Sequence, residues 1–167
     1  MLKQILVDVN KCLACKSCEI ACAVAHSASR NIIGACLQET RPRQRVNVEA
    51  GEGFSFPLQC RQCEEPNCVR ACISGAMYKD TQSGLVFNNS EKCVGCWMCV
   101  MVCPFGSISL DKEQKKAVKC DRCVDMDVPA CVGACPTKAI KFMDIDDFSK
   151  KTRKQYLTNF LISEGGK

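Results

Sequence analysis

Long apolar runs are missing from this chain. No stretch approaches the roughly 20 apolar residues that a membrane-spanning helix needs, and residues 1–10 hold no apolar segment of signal-peptide length. A membrane span and export are therefore not expected, and a cytoplasmic location is. A Gly-rich nucleotide loop, a flavin or pterin signature and the C-x3-C-x2-C pattern of radical chemistry are also absent, so no substrate-transforming centre is expected. Histidine occurs once, at His26. Beside a full set of cysteines, that ring belongs to the surroundings of a site and not to its ligands.

Cysteine is what the chain has in abundance, 17 in 167 residues. In a short secreted chain such a share would mean a disulfide scaffold. In a reducing compartment, clustered C-x2-C pairs mean metal ligands. The formal charge is +5, which treats every cysteine as neutral. An oxidised 4Fe-4S core bound by four thiolates carries about −2, so four such sites turn +5 into roughly −3. The basic composition is thus no argument for nucleic-acid binding.

The cysteines fall into four blocks. The most regular is Cys93-x2-Cys96-x2-Cys99-x3-Cys103-Pro104, the spacing of a cubane iron-sulfur site. Three cysteines at intervals of three wrap a short loop whose N–H groups can face the cluster sulfurs. The fourth, carried past the loop, faces the other way, so one such block is incomplete alone. Cys12-x2-Cys15-x2-Cys18-x3-Cys22 has the same spacing. Cys60-x2-Cys63-x4-Cys68-x3-Cys72 and Cys120-x2-Cys123-x7-Cys131-x3-Cys135-Pro136 are stretched versions. Four blocks of four leave only Cys36, which is expected to be a small buried hydrophobe. A zinc-ribbon module is the alternative for C-x2-C pairs, but it needs self-contained pairs and gives no reason for the triplets.

Between the blocks, Gln4 to Val9 alternates like a short strand delivering the first block. Residues 27–59 carry the basic run Arg41-Pro42-Arg43-Gln44-Arg45 and a hairpin around Ala50-Gly51-Glu52-Gly53, expected to project from the core as a docking surface or a structural flap. Residues 76–78 and 85–87 form a second hairpin feeding Cys93, and Ala139 to Phe142 is a strand. Phe148, Tyr156, Leu157, Phe160 and Leu161 predict an amphipathic C-terminal helix that packs on its own domain or, as the alternative, docks on a partner, with Ser149 as N-cap and Gly165 as stop. Trp97 and Met98 lie inside a ligand loop and should shield it from water.

With these blocks, the chain resembles the four-cluster ferredoxin-like electron-transfer subunits of the dimethyl sulfoxide reductase iron-sulfur subunit family. Lys11-Cys12-Leu13-Ala14-Cys15-Lys16-Ser17-Cys18, Leu58-Gln59-Cys60-Arg61-Gln62-Cys63, Ser74-Gly75-Ala76-Met77 and Cys96-Trp97-Met98-Cys99 resemble most the iron-sulfur protein associated with carbon monoxide dehydrogenase. The resemblance implies a small, loop-rich α+β fold of two pseudo-symmetric bacterial ferredoxin-like units, one inserted in the other, with short β-hairpins and a C-terminal helix. Residues 1–26 plus 120–143 would be the outer unit, 27–59 a hairpin insert, 60–119 the inner unit and 144–167 the helix. It also implies four 4Fe-4S clusters with crossed ligation. Cys12, Cys15 and Cys18 join Cys135; Cys120, Cys123 and Cys131 join Cys22; Cys60, Cys63 and Cys68 join Cys103; Cys93, Cys96 and Cys99 join Cys72. The first and third blocks lack the proline that follows Cys103 and Cys135, a departure that removes no ligand. The implied function is non-catalytic relay of single electrons between a catalytic redox enzyme, carbon monoxide dehydrogenase being favoured, and a second oxidoreductase. Formate dehydrogenase, hydrogenase, hydrogen-dependent carbon dioxide reductase and tungsten aldehyde oxidoreductase are the alternative catalytic partners.

Overall fold

A computed structural model of the chain describes residues 3–164. Its strands pair only two by two, in four antiparallel ribbons. An isolated ribbon is marginal in water, so these depend on what they pack against. The first ribbon joins the two ends of the chain: β1 (Gln4–Val7) pairs with β8 (Ile140–Met143), with Val7 opposite Ile140. The other three are local hairpins: β2 (Val46–Gly51) with β3 (Phe54–Gln59), β4 (Met77–Lys79) with β5 (Val86–Asn88), and β6 (Ile108–Asp111) with β7 (Lys116–Lys119). The β4–β5 and β1–β8 strands lie where alternation put them; the β6–β7 hairpin is an addition that sequence reasoning missed.

Helices are short and attached to the cysteine blocks. α1 (Ser17–Ala25) carries Cys18 and Cys22 one turn apart on its buried face, the i, i+4 relation that stacks side chains. The four-residue helices α3 (Asn67–Arg70), α4 (Met98–Met101) and α5 (Ala130–Gly133) sit at the x3 step of the other three blocks.

Two cores result. In one, Ile5, Val46, Val48, Ala139 and Ile140 pack with Cys18, Cys22, Cys131 and Cys135. In the other, Met77, Ile108 and Ala117 pack with Cys99, flanked by the half-buried Cys68, Cys72, Cys93 and Cys103. A polar knot ties them. The buried Lys119 donates to the carbonyls of Val86 (2.5 Å) and Cys120 (2.9 Å), and Gln62 donates to the Cys120 carbonyl (2.9 Å) while accepting from the Val86 N–H. A buried ammonium is tolerable only with such partners.

Three expectations are corrected. The β2–β3 hairpin does not project from the core: Val46 and Val48 enter it, Ser55 donates to the Cys12 carbonyl (2.8 Å), and the Val48 N–H donates to Glu19 (2.5 Å). Only its tip, with Phe54, is strongly exposed. Cys36 is exposed, because α2 (Ile32–Leu37) turns Ala35 inward and Cys36 and Leu37 outward. The C-terminal helix α6 starts at Ile145, where the Asp144 carboxylate accepts the Asp146 N–H (2.9 Å), and Ser149 lies within it. The capping acid and the acidic first turn suit the helix dipole. Burial along α6 ends at Ser149, and Tyr156, Leu157 and Leu161 are exposed instead of packed. The stop expected at Gly165 lies outside the described residues.

Candidate metal centres

The backbone prepares all four blocks alike. The second residue after the first cysteine is left-handed each time: Ala14 (φ 52°), Gln62 (51°), Gly95 (70°) and Arg122 (62°). For a residue other than glycine that conformation costs about 1–2 kcal/mol, so its recurrence at one position is an imposed turn. The turn aims N–H groups inward, with Gln62 donating to the Cys60 sulfur (3.5 Å) and Arg122 to the Cys120 sulfur (3.4 Å). Such concave N–H sets favour anionic sulfur. Gly95 is the block glycine whose replacement would crowd the backbone, since an added Cβ would lie 2.4 Å from the Lys115 carbonyl oxygen.

Sequence-distant thiols converge on common spaces. One cavity is lined by Cys12, Cys15, Cys18 and Cys135. A second is lined by Cys60, Cys63, Cys68 and Cys103, and a third by Cys72, Cys93, Cys96 and Cys99, with Trp97 in its wall. Around the buried Cys131 thiol, burial and the neighbouring Cys120, Cys22 and Cys123 push the pKa upward. Each of the three cavities takes three thiols from one block and one from another, and Cys131 sits among Cys120, Cys22, Cys123 and Cys18. Cys36 joins none of these groupings. Met98 is exposed, so Trp97 is the side chain that covers its loop.

All 17 cysteines are free thiols. Among the described residues the sulfurs of a grouping lie farther apart than a mutual 4.8 Å; only His26, Asp121 and Cys123 bring three ligand-type atoms that close. Four thiolates on one zinc ion, at 2.3 Å each, sit about 3.8 Å from one another. The wider spread fits a multi-atom cluster in place of a single ion. Burial pushes Cys18 and Cys99 up to about 11, and the surrounding thiols add to the rise at Cys99. These groups become thiolates only against a cationic metal core.

The fourth cysteine of each block has a polar escort that the spacing did not disclose. Cys72 has the Met77 N–H (3.3 Å) and the Ser74 hydroxyl (3.7 Å), Cys135 has Thr137 (3.7 Å), and Cys103 has Ser107 (4.0 Å). At Cys72 and Cys135 burial raises the pKa, but the Met77 N–H and Ser74 at Cys72, and the Ile140 N–H and Thr137 at Cys135, outweigh it and leave both thiols below their ordinary value. Cys22 is escorted differently. The Arg45 N–H donates to its sulfur (3.3 Å), and His26 donates through Nδ1 to the Cys22 carbonyl (2.7 Å) and through Nε2 to Asp121 (3.1 Å), which also pairs with the Arg45 guanidinium. Burial opposes a charge on His26, but its bonds to Asp121, Cys123 and Cys22 win and raise its pKa; Asp121 is held low by His26 and Arg45 against its own burial. His26 is thus part of a site's surroundings. Only its helical i+4 spacing from Cys22 pointed there.

Thiol groupings built on inward-turned N–H loops define the class of iron-sulfur electron-transport proteins. The chain belongs to the 4Fe-4S dicluster domain family, whose model matches residues 52–145. Across 86% of this chain and 83% of the other it is 42% identical to an iron-sulfur protein of Rhodospirillum rubrum. It is 32% identical to the electron transport protein HydN of Escherichia coli (93% and 97% of the two proteins) and 33% identical to the B subunit of that organism's anaerobic dimethyl sulfoxide reductase (87% and 75%). Its cofactors are four 4Fe-4S clusters. Among the described residues, no helix is long and apolar enough to cross a membrane.

Proposed function

We propose that this chain is a non-catalytic electron-transfer subunit and that its sixteen block cysteines hold the four clusters in the crossed sets. The observation that carries the reading is the convergence of three thiol triplets on the fourth thiol of another block, with Cys22 near Cys120, Cys123 and Cys131 of the remaining set. Cys12, Cys15 and Cys18 with Cys135, and Cys120, Cys123 and Cys131 with Cys22, would hold two clusters in an outer ferredoxin-like unit of residues 1–26 and 120–143. Cys60, Cys63 and Cys68 with Cys103, and Cys93, Cys96 and Cys99 with Cys72, would hold two in an inner unit, 60–119, pseudo-symmetric with it. Bound clusters would supply one-electron carriers.

The chain's own residues do the rest. The left-handed loop residues aim N–H groups at thiolate sulfur, Ser74, Ser107 and Thr137 add neutral donors, and the His26–Asp121–Arg45 set adds charge beside Cys22. These are the levers that set a cluster's potential. With all four thiols of each set committed as ligands, no iron is left open to a substrate.

The catalytic partner is an oxidoreductase. The residues between the cysteines favour carbon monoxide dehydrogenase, and the names of two relatives, the B subunit of a dimethyl sulfoxide reductase and the electron transfer subunit of a thiosulfate reductase, support a reductase or dehydrogenase complex more broadly. Anaerobic purification of the tagged protein tests the reading: about 16 iron and about 16 sulfide per chain are expected, together with a co-eluting redox enzyme. A colourless, zinc-loaded protein that elutes alone would overturn it.

A further inference from the structure

We propose that the cleft between the two cysteine cores is the port through which electrons pass to or from a redox protein bearing an acidic docking segment. This rests on the electron-carrier reading and adds to it a place and a partner chemistry. The cleft has a volume of about 630 Å³ and is lined from both sides: by residues 26–45 and 120–121 next to the outer core, and by the β4–β5 and β6–β7 hairpins of the inner one. Arginine and lysine side chains outnumber carboxylates five to two in its lining.

The carboxylates are already engaged. Asp121 is paired with Arg45 and His26, and Asp111 accepts the N–H groups of Glu113 and Gln114 in its own turn. Arg41 and Arg43 are exposed and form no ion pair among the described residues. Two uncompensated guanidinium groups at the rim of a concave site call for carboxylates. With four clusters bound, the protein as a whole carries roughly −3, so an acidic partner gains nothing from the net charge and depends on a local cationic patch such as this cleft. Next to the lining residue Gln38 in sequence, α2 exposes Ile33 and Leu37.

The cleft's floor is what makes it a port and not merely an anion hole. The Arg45 N–H donates to the Cys22 sulfur (3.3 Å), and Cys120 is itself a lining residue. An acidic segment seated on Arg41 and Arg43 therefore lies beside Cys120 and one residue, Arg45, away from Cys22, two thiols of one proposed ligand set. The helix α6 carries a second cationic run, Lys150, Lys151, Arg153 and Lys154, but none of it lines the cleft.

The test uses the reduced, four-cluster protein and follows electron transfer by stopped flow to two acceptors: an acidic flavodoxin and a neutral benzoquinone. The parent protein should reduce flavodoxin at a rate that falls as salt rises. The double variant Arg41→Glu, Arg43→Glu should be at least about tenfold slower at low ionic strength and indistinguishable from the parent at high ionic strength, with its quinone rate and its paramagnetic signals unchanged. Lys150→Glu, Lys151→Glu should behave as the parent. Equal flavodoxin rates for parent and arginine variant, or an equal slowing in the helix variant, overturn the proposal. So does calorimetric binding of inorganic pyrophosphate that is lost in the arginine variant while its flavodoxin rate stays put, which would make the cleft a small-anion site. A parent that reduces quinone but not flavodoxin sinks the port alone; one that reduces neither sinks the electron-carrier reading with it.

Discussion

The two cores are built on the same cysteine ruler and end up in different surroundings. Of the eight block cysteines near the chain ends, six are buried (Cys18, Cys22, Cys120, Cys123, Cys131 and Cys135); of the eight in residues 60–103, only Cys99 is. The outer core also draws Val46 and Val48 from the β2–β3 hairpin and brings the charged His26–Asp121–Arg45 set to Cys22. The inner core relies on hydroxyls and N–H groups at Cys72 and Cys103. Burying an anionic centre demands compensation. At the buried Cys22 the charged set answers that demand; Cys72 and Cys103, nearer to water, and the buried Cys135 have neutral donors. One spacing therefore encodes ligands, while the packing around it decides how each site is tuned.

Removing the iron should break this comparison most severely. Binding of a structural metal contributes about 10–16 kcal/mol, against a total stability of about 5–15 kcal/mol for a domain, so the apoprotein should lose its cooperative melting transition altogether. The outer core should go first under limited proteolysis, because its β1–β8 ribbon closes the whole chain, whereas the inner core keeps two local hairpins. A compact apoprotein with a protected β1–β8 ribbon would contradict this.

Next in size is the loss of single ligands. Cys15→Ser and Cys135→Ser, 120 positions apart, should perturb the same paramagnetic signal and cost about a quarter of the iron, whereas Cys131→Ser should perturb a different one. If Cys131 and Cys135 variants lose one signal together while Cys15 loses another, each block holds its own cluster and the outer and inner grouping dissolves.

Gly95→Ala acts on one side only. It combines a left-handed backbone with a Cβ 2.4 Å from the Lys115 carbonyl, and should destabilise the protein by about 1–3 kcal/mol, read as a lowered Tm with the inner signals broadened and the outer ones intact. Equal disturbance of all four signals would show that the cores are not separable.

The smallest effect sharpens the electrostatic contrast. Arg45→Gln removes a cation beside Cys22 and should lower the potential of one outer cluster in a redox titration, whereas Asp121→Asn should raise it; opposite signs distinguish charge from mere loss of packing. Ser74→Ala, which removes a neutral donor, should lower one inner potential alone.

Much of the frame was legible in the residues. The β4–β5 hairpin and the β1 and β8 strands show as short alternating or β-branched runs. The β6–β7 hairpin escaped because its second strand is half lysine, Lys116-Ala117-Val118-Lys119, and the knot that buries Lys119 is non-local. The four-residue helices are too short to show a period. Cys36 went astray because a cysteine's burial follows its helix face, and α2 turns that face outward.

By itself, the sequence determined the class of site: the intervals within each block are local, and a turn that can carry three thiols to one point depends only on neighbouring residues. The charge set at Cys22, the engagement of the hairpin with the outer core and the cationic cleft between the cores were decided by tertiary structure alone. Each depends on groups tens of residues apart, such as Arg45 and Asp121 or Ser55 and Cys12. Their meeting is set by how the cores close, and no local pattern records it.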